Sequence, residues 1–257
     1  MRAFAAFVYG LAVIAGCMVS ALVIGTLGAL PFIIVPRGRR ERWTVRVAQA
    51  WSWFVVRVLL AARPKVTGDS GLGPREGAVV FCNHRSWLDP LLLIIHLRSN
   101  GLSKRQILWL PAIGFYGWLT GAIFLDRRSE ASRARAREEV IRMVAAGHRI
   151  QVFPEGTRTR SGELRDRVYL TTARDAFEHN LPVVPCAVMD TERSLPVPMV
   201  GAFPFARVRL HVGVARYPRD HADAEAFAQA CWLAVQQLVS GLEEERSPGG
   251  GEVAPVV

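Results

Sequence analysis

In the stretch FCNHRSWLDP, residues 81–90, a histidine and an aspartate stand five positions apart just past an apolar, strand-like run. The imidazole of His84 titrates near neutrality and could take a proton from a substrate hydroxyl. A carboxylate from Asp89 on its far nitrogen would fix the tautomer and stabilise the imidazolium that forms. On a straight helix, five residues turn two side chains about 140° apart. The pair therefore meets only if His84 lies on the turn before a helix and Asp89 in its first turn. The same residues also read as a plain helix start. Asp89 then caps, with Pro90 at the first helical position, or Ser86 and Asp89 form a capping-box-like pair. Base and cap are not exclusive.

Three further stretches carry groups that could bind. In FPEGTRTRSGEL (153–164) a strand ends in Pro-Glu-Gly, and hydroxyls then alternate with arginines. Amides around Gly156, the Thr157 hydroxyl and Arg158 could hold a phosphate by charge-assisted hydrogen bonds; a turn exposing solvated charges has the same composition. GAIFLDR (121–127) ends in Asp126 and Arg127, where the arginine could reach an anion or sit on the surface beside Arg128. LPVVPCAV (181–188) carries two prolines, which predicts an edge strand or a rim beside a cleft.

The elements that must position these groups follow from periodicity. From Arg63 onward, short apolar runs alternate with helical patterns. KVTG, GAVVFCN, QILWL, AIFL, RIQVFP, LPVVPCAV and RVRLHVGV read as strands. Helices are predicted for DPLLLIIHLRS, for SEASRARAREEVIRMVAAG with Gly147 ending it, for the segment reaching Asn180, and for ADAEAFAQACWLAVQQLVSGLEE. PAIGFYGWLTG reads as a bent or short-helical piece. The alternation predicts an α/β sheet with helices on its faces. His84 then follows a strand, at the carboxyl edge where open α/β sheets build their sites.

Ahead of this domain, residues 3–36 form one charge-free apolar run, longer than the roughly 20 residues a membrane-spanning helix needs. Arg37, Arg39, Arg40, Arg42 and Arg46 follow it and only Arg2 precedes it, which predicts that the downstream chain lies on the cytoplasmic side. Its length and its C-terminal basic flank argue against a cleaved signal peptide. IAGC, ending at Cys17, resembles a lipoprotein processing site, but cleavage there would leave residues 18–36 still apolar. One tilted span, or two shorter helices turning at Gly25 to Pro31, both fit. In residues 41–63, Trp43, Val47, Ala50, Trp51, Phe54, Val55 and Val58 recur at helical spacing among arginines. That pattern predicts an amphipathic helix at the membrane interface, or one packed on the core. The division is then 1–62 anchor and interfacial helix, 63–245 globular domain, 246–257 disordered tail.

The net charge is +10, and since Lys65 and Lys104 are the only lysines, arginine supplies the other 30 of the 32 basic residues. Such a surface favours phosphates, anionic lipid headgroups or acidic proteins. No nucleic-acid motif accompanies it. Cys17, Cys82, Cys186 and Cys231 are scattered without a C-x-x-C pair, against a zinc site or a disulfide framework and in keeping with a reducing cytoplasm.

In order, NHRSWLD (83–89), GAIFLDR (121–127), FPEGTR (153–158) and VVP (183–185) resemble the four blocks of the glycerolipid acyltransferase superfamily, most closely the lysophosphatidate acyltransferases. The resemblance spans roughly residues 63–215, and the apolar N-terminus is similar as well. It implies an α/β fold, a mixed sheet flanked by helices, behind a membrane-anchoring helical segment in the inner membrane. It also implies that His84, oriented by Asp89, is general base on the sn-2 hydroxyl of a lysolipid. That oxygen would attack the thioester of acyl-CoA or acyl carrier protein without an acyl-enzyme, giving phosphatidic acid. Arg127, Glu155, Gly156, Thr157 and Arg158 would bind the acceptor's phosphate, with Lys104 standing where the family often has a basic residue. No metal and no cofactor beyond the thioester co-substrate are implied. The expected partners are the lysolipid, the acyl donor and anionic membrane lipid, and no nucleic acid.

One departure bears on the acceptor. Where the family usually has an aromatic-Lys-x-Gly element after the third block, this chain reads RDRVY, Arg165 to Tyr169. A different lysolipid, such as a lyso-ornithine lipid, would use the same dyad with another pocket. A non-catalytic basic membrane adaptor would explain the charge and the anchor, but not the ordered blocks.

Overall fold

The computed structural model describes residues 2–29, 37–104, 123–126, 128–159, 162–198 and 201–245. Its elements are α1 (Arg2–Ala29), α2 (Arg37–Phe54) running into a π-helical turn (Val55–Leu59), β1 (Arg63–Gly68), β2 (Ala78–Cys82), α3 (Leu88–Leu97), β3 (Ser99–Lys104) and β4 (Ile123–Leu125). They continue with α4 (Glu130–Ala145), β5 (Arg149–Val152), α5 (Thr171–Glu178), β6 (Val183–Met189), β7 (Arg207–Val212) and α6 (Ala224–Glu244). The predicted strand QILWL, the bent piece PAIGFYGWLTG and the tail 246–257 lie outside the described residues.

The strands form one mixed sheet in the order β1-β7-β6-β2-β5-β3-β4. β6, β2, β5, β3 and β4 run parallel; β7 is antiparallel to β6, and β1 is parallel to β7. Their period-2 alternation divides the side chains between two cores. Val80 and Cys82 of β2, with Val184, Cys186 and Val188 of β6, face α3 and the π turn. Val79 and Phe81, with Val183, Ala187 and Met189, face α4, α5 and α6. β2 is buried on both faces, as a central parallel strand must be. The predicted helix ends hold. The Ser129 Oγ accepts the N–H of Ser132 at 3.2 Å to start α4, and Asp223 accepts that of Ala226 at 2.8 Å to start α6. Gly147, after α4, sits at φ 91° with its α-carbon against the Arg75 carbonyl, a place no Cβ fits.

The structure corrects three expectations. β6 is not an edge strand or a rim: it lies between β2 and β7 and is buried throughout. Its prolines are tolerated because Pro182 precedes the strand, while Pro185 turns its missing donor toward β7 at a bulge. Between the Cys186–Val212 pair and the Val183–Arg216 bridge, Val184 and Pro185 oppose Gly213, Val214 and Ala215. The Pro185 carbonyl still accepts the Gly213 N–H at 2.8 Å. Second, Ser99–Lys104, a polar stretch not expected to be a strand, forms β3 once α3 stops at the left-handed Arg98 (φ 54°). Third, the face predicted for residues 41–63 is inward only in part. Val47 and Val55 are buried, together with Val45, Ala48, Ser52 and Val56, whereas Ala50 and, on the π turn, Val58 are exposed.

α1 runs unbroken through Gly25, and residues 3–28 are long and apolar enough to cross a membrane, with mean hydropathy 2.4. α2 returns antiparallel along it. The Trp43 indole donates to the Gly28 carbonyl at 2.8 Å and the Trp51 indole to the Ser20 Oγ at 3.2 Å. The Tyr9 hydroxyl donates to the Leu59 carbonyl. Small residues make these approaches possible: Gly28 lies against Val47, and Gly10 against Gly201 and Ala202. The large residues Phe4, Phe7, Leu11, Val19, Leu22 and Leu27 point outward.

Candidate active site

β2 exits to α3 on one face of the sheet, and the neighbouring β5 exits toward α5 on the other. Between two such connections an open sheet leaves a crevice at its carboxyl edge, and the first and third sequence blocks, NHRSWLD and FPEGTR, meet there. Asn83 starts the turn after β2. It is buried, and its amide clamps β6 by donating to the Val188 carbonyl at 3.0 Å and accepting the Val188 N–H at 2.8 Å. His84 follows. Its Nδ1 lies 2.8 Å from Asp89 Oδ2. The same carboxylate oxygen accepts the N–H of Arg85 at 2.6 Å and of Ser86 at 2.7 Å. The Ser86 hydroxyl accepts the Leu88 N–H at 3.1 Å and donates to the Leu195 carbonyl at 2.8 Å.

The capping-box-like pair and the dyad are thus one structure. α3 begins at Leu88, and the Asp89 side chain in its first turn folds back over the preceding turn. Asp89 is fully buried, which would be costly for a charge were its oxygen not met by two amides and an imidazole. With Asp89 accepting from Nδ1–H, neutral His84 carries its lone pair on Nε2. The ring is fixed on a second side by Phe153, stacked at 4.0 Å between centroids and 18° between planes. The His84 side chain keeps 16% of its surface exposed, so the ring is held but reachable.

The 153–159 loop is laced to the same residue. Glu155 is 2% exposed. Its Oε1 accepts the His84 N–H at 2.8 Å and its Oε2 the Arg165 N–H at 3.2 Å. Burial pushes its carboxyl above the usual glutamate value, against the lowering effect of those amides and of the nearby His84 and Arg85. Both oxygens thus accept backbone N–H groups, and Glu155 braces the loop against the His84 turn. The Thr159 N–H donates to the His84 carbonyl at 2.9 Å, closing the loop onto the turn. Gly156 takes φ 68° beneath the Tyr169 ring, which would crowd any Cβ at 3.1 Å.

Thr157 is exposed at the loop's tip. Arg158 is half-buried, with its guanidinium carbon 4.2 Å from the centroid of the Trp87 ring. No carboxylate among the described residues pairs with it. Burial lowers its pKa, while the Asp89 charge raises it. Lys104 ends β3 at the same sheet edge, its side chain outside the described residues. Arg127 also lies outside them. Asp126 before it accepts the Arg128 N–H at 3.0 Å through Oδ1. Among the described residues, no group of three or more His, Cys, Asp or Glu could hold a metal ion.

Sequence reasoning did not single out Asn83, Phe153 or Trp87. Asn83 and Trp87 stand inside the first block and Phe153 opens the third, so motif position was the only signal. Arg85 was missed as well. It is 3% exposed and 3.5 Å from both Glu192 and Glu243, tying the turn to the segment after β6 and to the end of α6.

A family model described as Acyltransferase matches residues 63–189. Human 1-acyl-sn-glycerol-3-phosphate acyltransferase alpha is 32% identical over 137 residues, covering 51% of this chain and 47% of that protein. The 1-acyl-sn-glycerol-3-phosphate acyltransferase of Haemophilus influenzae is 24% identical over 177 residues, covering 67% and 72%. The chain spans about half the length of the first curated relatives it matches. The crystal structure of the 1-acyl-sn-glycerophosphate acyltransferase PlsC from Thermotoga maritima has the same fold, with a TM-score of 0.83 over 98% of this chain and 100% of that one, at 20% identity. Residues 63–189 thus form an acyltransferase-family domain, similar in sequence to the 1-acyl-sn-glycerol-3-phosphate acyltransferases, and the chain shares the fold of PlsC.

Proposed function

We propose that this protein is a membrane-associated O-acyltransferase that moves a fatty acyl group from a thioester to the sn-2 hydroxyl of 1-acyl-sn-glycerol-3-phosphate, giving phosphatidic acid. The observation that carries this reading is the His84–Asp89 hydrogen bond, which leaves Nε2 free to act as a base; Arg158, half-buried on the loop bonded to the His84 turn, has no carboxylate partner among the described residues. Nε2 takes the acceptor's hydroxyl proton as the oxygen attacks the thioester carbonyl. The imidazolium that forms is stabilised by Asp89. The tetrahedral intermediate collapses, the C–S bond breaks, and the thiolate leaves with the proton returned from Nε2. Atoms and charge balance without an acyl-enzyme. Arg158 receives the acceptor's phosphate through charge-assisted hydrogen bonds, and Thr157, Arg127 and Lys104 are proposed from the family resemblance as further contacts.

The donor is acyl-CoA or acyl carrier protein, whose anionic groups suit a chain of net charge +10. α1 anchors the enzyme with its outward apolar residues, and the arginines after it favour the cytoplasmic side of the inner membrane. The test is a purified-enzyme panel in which one labelled acyl donor meets lysophosphatidate, lyso-ornithine lipid and other lysophospholipids, with products identified by mass. Phosphatidic acid as the dominant product is expected. Turnover of the phosphate-free acceptor alone would assign RDRVY to a different headgroup, and no thioester consumption at all would leave only a lipid-binding role.

A further inference from the structure

Trp87 occupies the N-cap position of α3 and is 41% exposed, a costly placement for the largest side chain at the rim of a site. Its neighbour across the rim is Arg158, from a different sequence block. A cationic side chain half-buried beside a catalytic turn is normally neutralised by a carboxylate. Here the ring face takes that place. The distinction matters for an anion receptor. A carboxylate would consume the guanidinium's N–H donors and compete with any phosphate. An aromatic face attracts the cation through its quadrupole and leaves the donors unspent. The chain on either side is also fixed. The Thr159 amide next to Arg158 is bonded to the His84 carbonyl, and Trp87 sits between Ser86 and Leu88, both tied by the Ser86 hydroxyl.

We infer that Trp87 is a specificity-determining positioning residue: its ring holds the Arg158 guanidinium ready for the acceptor's phosphate at a set distance from His84. The inference rests on the phosphate-receptor reading of Arg158, and the experiment separates the two. Steady-state kinetics would be measured for wild type, Trp87→Leu, Trp87→Phe, Arg158→Ala and the Trp87→Leu/Arg158→Ala double variant, each with lysophosphatidate varied and then with the acyl donor varied. Thermal melts would confirm that every variant is folded. Trp87→Leu is expected to raise the lysophosphatidate KM about three- to tenfold, the range a partly desolvated cation–π contact supplies. The donor KM and kcat should change by less than about twofold. Trp87→Phe, which keeps a ring, should stay nearer to wild type. In the Arg158→Ala background the loss of Trp87 should add nothing, because its partner is gone. If Arg158→Ala raises the lysophosphatidate KM and Trp87→Leu does not, this inference fails and the receptor reading stands. If Arg158→Ala itself leaves that KM unchanged, the receptor reading fails and takes the inference with it. A Trp87→Leu effect of equal size on the donor, or one that persists fully without Arg158, would make the indole a wall for acyl chains and overturn its assigned role.

Discussion

His84 and Arg158 stand on two segments bonded to each other and are held in opposite ways. The imidazole has Asp89 on Nδ1, Phe153 on one ring face, and bonds from the 153–159 loop on its own N–H and carbonyl. The guanidinium of Arg158 rests on one aromatic ring, and no carboxylate among the described residues pairs with it. Proton transfer demands heavy-atom placement within a few tenths of an ångström. Recognition of a phosphate tolerates more freedom, since a planar fork can be approached along several directions. Under the proposed function, the difference teaches that the chemistry is built into the scaffold, whereas the affinity is carried by a few adjustable side chains. Loss of a group on the rigid side should therefore lower kcat, and loss of one on the adjustable side should raise KM.

The sharpest way to break this contrast is His84→Ala. It should reduce kcat by on the order of 10³–10⁴, with the KM for either substrate and vesicle association little changed; single-turnover transfer of a labelled acyl group measures it. Asp89→Asn comes next. An amide cannot hold the productive tautomer or meet both backbone donors equally, and a loss in kcat on the order of 10² is expected. Arg158→Ala should act on the other parameter, raising the lysophosphatidate KM about ten- to thirtyfold through the lost charge-assisted bonds. A kcat defect as large as the KM defect there would contradict the division of labour. Glu155→Gln is the mildest for activity, a few-fold in kcat, because one of its two amides loses an acceptor. It also makes a pH prediction. The Glu155 carboxyl is raised in the folded state, so its protonation stabilises the fold, and that contribution fades as pH rises from the usual glutamate value through the raised one. The glutamine variant lacks this dependence. The difference in urea midpoint between wild type and variant should therefore shift against wild type as pH climbs through that window.

How much of this could be read in the residues alone follows the same contrast. The His84–Asp89 pair was legible because a turn followed by a first helical turn is the geometry its spacing permits, and the alternation of short apolar runs with helical patterns announced a sheet with helices on its faces. Glu155 was legible as a motif position but not as a brace, since its partners at His84 and Arg165 are 71 and 10 residues away in the chain. The central place of β6 was hidden because a proline's tolerance depends on a bulge in its neighbour, which no feature of LPVVPCAV encodes. β3 was hidden because SNGLSK has no strand-forming pattern of its own and is held by β5. The π turn that carries the exposed Val58 is a local winding irregularity that a fixed 3.6-residue period misses. In each case the missing information was an interaction with a distant residue or an irregularity, not a propensity.

The bonds that join His84 to the 153–159 loop bear on how such enzymes can change their substrates. Because the amide and carbonyl of His84 are spent on Glu155 and Thr159, the 153–159 loop is not a detachable cassette. A graft of residues 156–158 alone keeps both fasteners and can alter what is recognised while leaving the reaction running. A graft that also replaces 155 or disturbs 159 imports a new seat for the base. Diversification of acceptors should therefore proceed by small edits inside the fasteners, with wholesale loop exchange surviving only when the turn after β2 is exchanged along with it.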